Sequence, residues 1–127
     1  MLVNGIDMVE ISRIRSVSER YGERFLRRIY TEGEAIYCRG RAPQLAARFA
    51  AKEAVMKALG TGIRGVKWRD IEVVRQTGGP PMIVLHGTAL ARAKRLEIDH
   101  LAVSLTHSQD YAMAFVVGES IGGNNAG

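Results

Sequence analysis

Residues 48–58 read RFAAKEAVMKA and form the centre of the longest helix that the sequence predicts, from Gln44 to Leu59. Gly60 follows directly and is typical of the left-handed residue that ends a helix. Large apolar side chains recur along the helix at amphipathic spacing, and we therefore expect them to face the core. These stripe residues are Leu45, Phe49, Met56 and Leu59.

Strand-like and helical segments lie on both sides of this central helix. Apolar patterns and turn residues predict strands over residues 2–11, 71–75, 82–86, 101–106 and 111–117. Shorter helices are predicted after an N-cap at Ser12, over 23–30, after a capping box at Thr31 and over 88–96, with a loop at 39–43. Because strands and helices mix without regular alternation, the predicted fold class is α+β, a single domain with a largely antiparallel sheet packed against a long central helix.

The length and composition indicate one globular domain. A chain of 127 residues fits a single domain, which we expect to span residues 1–119, followed by a flexible Gly/Asn-rich tail at 120–127. Hydrophobic residues make up 46% and charged residues 24%, and no apolar run is long enough to cross a bilayer. Cys38 is the only cysteine, which excludes an intrachain disulfide and favours a reducing compartment, the cytoplasm.

The charge of the chain points to an anionic partner. Eighteen lysines and arginines against 13 acidic residues give a formal charge of +5. Six arginines fall between residues 13 and 28, and most of them recur at helical steps of three, four or seven. One helical face can therefore present guanidinium groups to an acidic protein, a polyphosphate or a nucleic acid. The aromatic residues expected of a specific nucleic-acid reader are sparse.

Several titratable residues occupy positions where chemistry is possible. Asp7 lies inside an apolar predicted strand and needs hydrogen-bond donors or a cation. Glu53 and Lys57 have the i, i+4 spacing of an ordinary helical ion pair, but if Asp7 and Glu53 converge they form a hard-oxygen site suited to Mg²⁺. Lys52 falls on the apolar stripe and must reach an edge or an anion. His107 follows a predicted strand, where an imidazole could bind phosphate or transfer protons, although most loop histidines do neither.

Three segments resemble the holo-acyl-carrier-protein synthase family. They are residues 5–14 (GIDMVEISRI), residues 48–58 followed by Gly60-Thr61-Gly62, and residues 104–108 (SLTHS). The match runs from Met1 to about Glu119 in the order of the family. The resemblance implies a 4'-phosphopantetheinyl transferase fold. It also implies an enzyme that transfers 4'-phosphopantetheine from coenzyme A to a serine of apo acyl carrier protein, releasing 3',5'-ADP.

The resemblance also implies roles for individual residues. Asp7 and Glu53 match the magnesium ligands of the family. Asp7, Glu53 and Lys57 together match its catalytic residues. The positions that match contacts to coenzyme A are Arg48, Lys52, Lys57, Gly60, Thr61, Gly62, Pro81 and His107. Mg²⁺ and coenzyme A are therefore the expected cofactor and co-substrate.

The expected partners follow from the same resemblance. The surface that matches the docking site for an acidic helix of acyl carrier protein consists of Arg13, Arg20, Arg24, Phe25 and Arg28. The resemblance further implies a homotrimer with active sites between subunits, and neither nucleic acid nor a membrane as a partner. The principal alternative from the residues alone is a small basic nucleic-acid-binding module, and a further alternative is a non-catalytic homo-oligomer.

Overall fold

The computed structural model describes residues 1–120. In chain order its elements are β1 (Leu2–Glu10), α1 (Ile11–Tyr21), α2 (Glu23–Ile29), α3 (Glu32–Cys38), α4 (Ala42–Leu59), α5 (Gly62–Gly65), a 3-10 turn (Trp68–Asp70), β2 (Ile71–Arg75), β3 (Pro81–Leu85), α6 (Gly87–Arg95), β4 (Ile98–His107) and β5 (Tyr111–Ser120). The predicted α+β class is confirmed. Among the described residues, every helix is too short or too polar to span a membrane.

Two antiparallel sheets are present in the described part of the chain. Strand β5 is the centre of a three-stranded sheet in the order β1-β5-β4, and β2 pairs with β3 as a separate hairpin. Along β1, Gly5, Asp7 and Val9 alternate with exposed residues and are the more buried set. Because side chains alternate between the faces of a strand, these three residues share the face that packs on α4.

Helix α4 is the core of the domain, and it is buried on almost every side. The predicted apolar stripe does face the core, because Leu45, Met56 and Leu59 are buried and Phe49 packs against the same cluster, but burial extends well beyond the stripe. The sheet covers one side of the helix, while α1, α3 and β2 contact other sides. Fully or nearly fully buried alanines allow this close approach, namely Ala46, Ala47, Ala50, Ala51, Ala54 and Ala58. Gly5 is required opposite them, because a Cβ there would lie 2.0 Å from the carbonyl oxygen of Ala54.

Several predicted boundaries differ from the structure. Helix α4 begins at Ala42 and not Gln44, because Pro43 sits in its first turn, where a missing N–H is tolerated. Helix α1 begins at Ile11, whose backbone N–H donates to the carbonyl oxygen of Asp110 at 2.8 Å, so Ser12 is not the N-cap. The short helix α5 was not predicted. The capping box of Thr31 and Glu34 is confirmed.

The domain extends one residue past the predicted boundary at Glu119. Ser120 belongs to β5 and is buried, and its hydroxyl donates to the carbonyl oxygen of Leu96 at 2.7 Å. The rest of the predicted tail, residues 121–127, lies outside the described residues.

Candidate active site

Two carboxylates and a lysine meet where β1 packs on α4. Asp7 projects from β1 toward the helix, and Glu53 and Lys57 lie one turn apart on α4. The ammonium Nζ of Lys57 is 3.0 Å from Oδ1 of Asp7 and 2.9 Å from the carbonyl oxygen of Ile6. The Lys57 side chain is 54% exposed and that of Asp7 only 13%. Strand β1 and helix α4 therefore place a partly buried acid in contact with an accessible cation.

Glu53 is close enough to Asp7 for the two groups to affect each other. Burial and the negative charge of Asp7 raise the pKa of Glu53 to about 7, against the opposing effect of Lys57 and Arg13. Two carboxylates held this close repel each other unless a proton or a cation lies between them. The convergence that the sequence alone left open is therefore present in the structure.

The donor set of this cluster fits a magnesium ion. Oδ2 of Asp7 is buried and has no hydrogen-bond partner, so it is free to accept a cation. Within residues 1–120 no third His, Cys, Asp or Glu joins the pair. Mg²⁺ commonly takes one or two protein carboxylates and fills its other positions with water and substrate phosphate oxygens. Asp7 and Glu53 are the residues that would hold the ion.

The carboxylates open into a cavity of about 620 Å³. Its other walls include Arg13, Phe49, Ile63 and Trp68. The rings of Phe49 and Trp68 stack with centroids 4.8 Å apart, which gives the cavity one rigid apolar wall. A volume of this size is typical of a small-molecule site. Sequence reasoning missed Ile63 and Trp68, and the only available signal was an isoleucine directly after the Gly60-Thr61-Gly62 turn.

The Gly60-Thr61-Gly62 turn directly follows Lys57 and the end of α4. Gly60 has φ of +71° and Gly62 has φ of +61°, a region where glycine is favoured over other residues. An added Cβ at Gly62 would meet no atom within 4 Å, so the backbone at this point is open to a ligand. Oγ1 of Thr61 is buried without a hydrogen-bond partner. The turn thus combines an accessible backbone at Gly62 with a buried, unpartnered hydroxyl of Thr61.

Lys52 is not part of the cavity, contrary to its predicted contact with coenzyme A. Its side chain is fully buried, with Nζ 2.7 Å from Oε1 of Glu34. The ammonium also donates to the carbonyl oxygens of Trp68, at 3.1 Å, and Ile71. Burial lowers the pKa of Lys52, and the charge and hydrogen bond of Glu34 oppose that shift. The ammonium of Lys52 is paired with the carboxylate of Glu34 in the core, so we leave Lys52 out of the proposed site.

Three other predicted contacts to coenzyme A lie away from the carboxylates. Arg48 is buried, with its guanidinium 4.3 Å from the centre of the Tyr37 ring and with Nε unpartnered. His107 is exposed at the end of β4, where it pairs with Ala112 of β5. Pro81 begins β3. None of these three residues lines the carboxylate cavity of the single chain.

The predicted docking residues lie at the rim of the cavity. Phe25 lines both the carboxylate cavity and a neighbouring groove of about 360 Å³ formed with Arg24, Arg28 and Tyr21. Arg13 lines the cavity itself, and the guanidinium of Arg20 lies 5.4 Å from the centre of the Tyr21 ring. All four arginines are exposed. Helices α1 and α2 therefore carry a positive surface, the arginine face, beside the carboxylates.

Comparison with known proteins identifies the class to which this fold and site belong. A family model described as the 4'-phosphopantetheinyl transferase superfamily matches residues 4–116. A protein of Herpetosiphon aurantiacus named holo-[acyl-carrier-protein] synthase is 53% identical over 125 residues, covering 93% of this chain and 98% of the relative.

Solved structures agree with this assignment. The Helicobacter pylori holo-[acyl-carrier-protein] synthase in complex with coenzyme A superposes with a TM-score of 0.83 at 32% identity, covering 91% of this chain and 99% of that chain. The Bacillus anthracis holo-(acyl-carrier-protein) synthase in complex with CoA (3',5'-ADP) has a TM-score of 0.75 at 35% identity, covering 93% and 96%. The chain therefore belongs to the 4'-phosphopantetheinyl transferase superfamily and, within it, to the holo-acyl-carrier-protein synthases.

Proposed function

We propose that this protein transfers 4'-phosphopantetheine from coenzyme A to a serine of apo acyl carrier protein, releasing 3',5'-ADP and giving the holo form. The observation that carries the proposal is that Asp7 and Glu53 line a cavity bordered by the arginine face, with Lys57 in contact with Asp7. Family membership supports the same reaction, because solved relatives of similar fold hold coenzyme A.

Asp7, Glu53 and Lys57 have separate roles in the transfer. The carrier serine attacks the β-phosphorus of coenzyme A, and the bond from that phosphorus to the oxygen of the 3',5'-ADP leaving group breaks. Asp7 and Glu53 would hold a Mg²⁺ ion, which when bound would supply Lewis-acid stabilisation of the phosphoryl group. Lys57, exposed and beside Asp7, binds a phosphoryl oxygen on which negative charge develops. The serine proton passes to Glu53 or to a water molecule, and Glu53 is a weaker base while it also holds the metal than it is in its free form.

Coenzyme A is expected to extend from the carboxylate cavity along the Gly60-Thr61-Gly62 turn. The open backbone at Gly62 supports this path. Pro81 and His107 lie outside the carboxylate cavity of their own chain, so we infer that they contact the nucleotide from a neighbouring subunit, whereas Arg48 is buried within its own chain. In this proposal, the active site is shared between neighbouring chains.

The outer face of the three-stranded sheet supports such an assembly. Ile6, Met8 and Phe115 are 52%, 55% and 44% exposed on the face opposite α4. Ile6 pairs with Phe115 across the β1–β5 ladder, and Met8 pairs with Met113, so the apolar side chains are adjacent. An exposed apolar patch of this kind is typical of a protein interface. We infer that three chains pack through this face as a homotrimer.

A charge on this face is expected to dissociate the trimer. Phe115→Asp buries a carboxylate between subunits, so the variant should elute as a monomer while the wild type elutes as three chains, measured by size-exclusion chromatography with light scattering. Turnover should fall together with assembly. Ala91→Asp, on the exposed surface of α6, is the matched control and should remain trimeric. A wild-type protein that is monomeric at all concentrations would contradict the assembly.

The proposed location is the cytoplasm. The thiol of Cys38 is buried, and burial raises its pKa to about 11, so it is unreactive. A single unreactive thiol is typical of a protein in a reducing compartment.

The reaction itself is tested by mass spectrometry. Apo acyl carrier protein is incubated with this protein, coenzyme A and Mg²⁺, and a parallel sample contains EDTA. We expect the carrier to gain the mass of one phosphopantetheine group, and we expect the gain to disappear with the chelator because only two protein carboxylates hold the metal. A carrier that remains apo in the Mg²⁺ sample, tested with several carrier proteins, would contradict the proposed function.

A further inference from the structure

A second cleft, of about 510 Å³, opens beside the carboxylate cavity. We call it the α5 cleft, because its walls come mainly from α5 and the segment that follows it. The residues that line the cleft include Arg28, Ile63, Arg64, Lys67, Trp68 and Arg69. Ile63 and Trp68 also line the carboxylate cavity, and Arg28 also lines the groove on the arginine face. The cleft therefore joins the carboxylate cavity to the arginine face.

The α5 cleft is strongly positive and its cations are unpaired. Arg28, Arg64, Lys67 and Arg69 contribute four positive charges, and the lining contains no acid. Within residues 1–120 none of these four side chains forms a salt bridge. Asp70 accepts hydrogen bonds from the backbone and hydroxyl of Thr88. Against the effect of burial, these bonds and the charge of Lys67 lower the pKa of Asp70, so Asp70 offsets part of the positive charge of the cleft.

Two further acids lie near the edge of this surface. Arg69 also borders a groove that contains Glu23 and Glu32, but it forms no salt bridge with either of them. Glu23 is instead paired with Arg27 at 3.5 Å. The positive charge of the cleft is therefore available to a partner.

The segment that carries Arg64, Lys67 and Arg69 is held in place from both sides. The backbone N–H of Lys67 donates to Oγ1 of Thr88 at 2.9 Å. The ammonium of Lys52 donates to the carbonyl oxygen of Trp68 at 3.1 Å, which ties the segment to the core. A surface that is already ordered loses little conformational entropy when it binds.

The residues between the cations also have the composition of an interface. Ile63 is 63% exposed, so a large apolar side chain lies among charged neighbours. An apolar centre with a charged rim is the usual arrangement at protein–protein contacts. A single-stranded nucleic acid would instead require an open aromatic face, and one face of Trp68 is already stacked against Phe49.

We propose that the α5 cleft binds acidic side chains of the carrier protein, as a second contact beyond the arginine face. This proposal rests on the proposed function. The two surfaces are continuous through Arg28, so both are within reach of a carrier whose serine enters the cavity. The cleft then selects carriers that present a second acidic region at the correct distance from their serine, and it adds to the rate of encounter at low salt.

The test is a double charge reversal in the cleft. Initial rates are measured for Lys67→Glu/Arg69→Glu with Mg²⁺, at varied concentrations of apo acyl carrier protein and of coenzyme A. The expected result at low salt is a KM for the carrier raised about tenfold or more, with kcat and the KM for coenzyme A changed by less than about twofold. Lys67→Ala/Arg69→Ala should give a smaller rise in the same direction.

The matched control reverses two charges elsewhere. Lys94→Glu/Arg95→Glu lies in the last turn of α6, outside the cleft, and both side chains are exposed. It carries the same change in net charge, and its KM for the carrier should stay within about twofold of the wild type because only local charges are in contact with the partner.

The possible outcomes separate the two proposals. An unchanged KM for the carrier in the cleft variant, with wild-type turnover intact, overturns the α5 cleft and leaves the proposed function standing. A rise in the KM for coenzyme A instead would assign the cleft to the nucleotide and also overturn it. Salt-sensitive binding of an oligonucleotide that only the cleft variant loses, with an unchanged KM for the carrier, would overturn it in favour of nucleic acid. A wild-type protein that never modifies a carrier contradicts both proposals.

Discussion

Glu53→Gln is expected to lower kcat by about a thousandfold, because losing one of two carboxylates from the metal site removes several kcal/mol of charge stabilisation. Gln preserves the size of the side chain and removes only its charge and its ability to accept a proton. The rate is measured as the mass gain of apo acyl carrier protein at saturating coenzyme A and Mg²⁺. Glu32→Gln, an exposed acid of α3, is the matched control and should keep the wild-type rate.

The stability of Glu53→Gln distinguishes lost chemistry from lost folding. The pKa of Glu53 is raised from 4.5 to about 7, so the native state favours the protonated form. Its contribution to stability is therefore present below about pH 4.5 and is lost as the pH rises through about 7. At pH 8 in EDTA, the Gln variant should unfold no more readily than the wild type. Turnover near the wild-type rate in this variant would remove Glu53 from the site.

Removing either member of the Glu34–Lys52 pair is expected to destabilise the domain by about 3–5 kcal/mol, because the remaining charge is left unpaired in the core. The two side chains are each 0% exposed and 2.7 Å apart. Glu34 also accepts hydrogen bonds from the backbone of Thr31 and Val73, both at 2.8 Å. The free energy of unfolding of Glu34→Gln and Lys52→Met is measured by urea denaturation.

The double variant and a surface pair complete this experiment. Glu34→Gln/Lys52→Met should cost clearly less than the sum of the single changes, since removing the second charge relieves the first. The exposed pair of Glu23 and Arg27 is the matched control, and Glu23→Gln should change the free energy of unfolding by at most about 0.5 kcal/mol. Additive costs in the core pair would show that the two charges do not stabilise each other.

The local pattern of the sequence predicted most of the secondary structure. Helix α4, the hairpin of β2 and β3 and the strands β1, β4 and β5 follow from apolar spacing and turn residues, which depend on near neighbours in the chain. Errors occurred where a distant contact replaced a local one. Ser12 lost its role as an N-cap because Ile11 bonds to Asp110, almost a hundred residues away.

The candidate site was only partly predictable. The types and spacing of Glu53 and Lys57 marked one helix as unusual, and three motifs linked the chain to its family, since motif residues are read directly from the sequence. The meeting of Asp7 with Glu53 was implied by the resemblance. Periodicity alone could not establish it, because it depends on how β1 is placed on α4.

By itself, the sequence determined the α+β class, the central helix and the family, and it proposed which side chains are chemically active. Only the tertiary structure decided which charges are buried and which remain available. It enclosed Lys52 with Glu34 and exposed Lys57 over Asp7 on the same helix. The tertiary structure also joined the α5 cleft to the carboxylate cavity through Ile63 and Trp68. The physical reason is that desolvation and ion pairing depend on contacts between residues far apart in the chain.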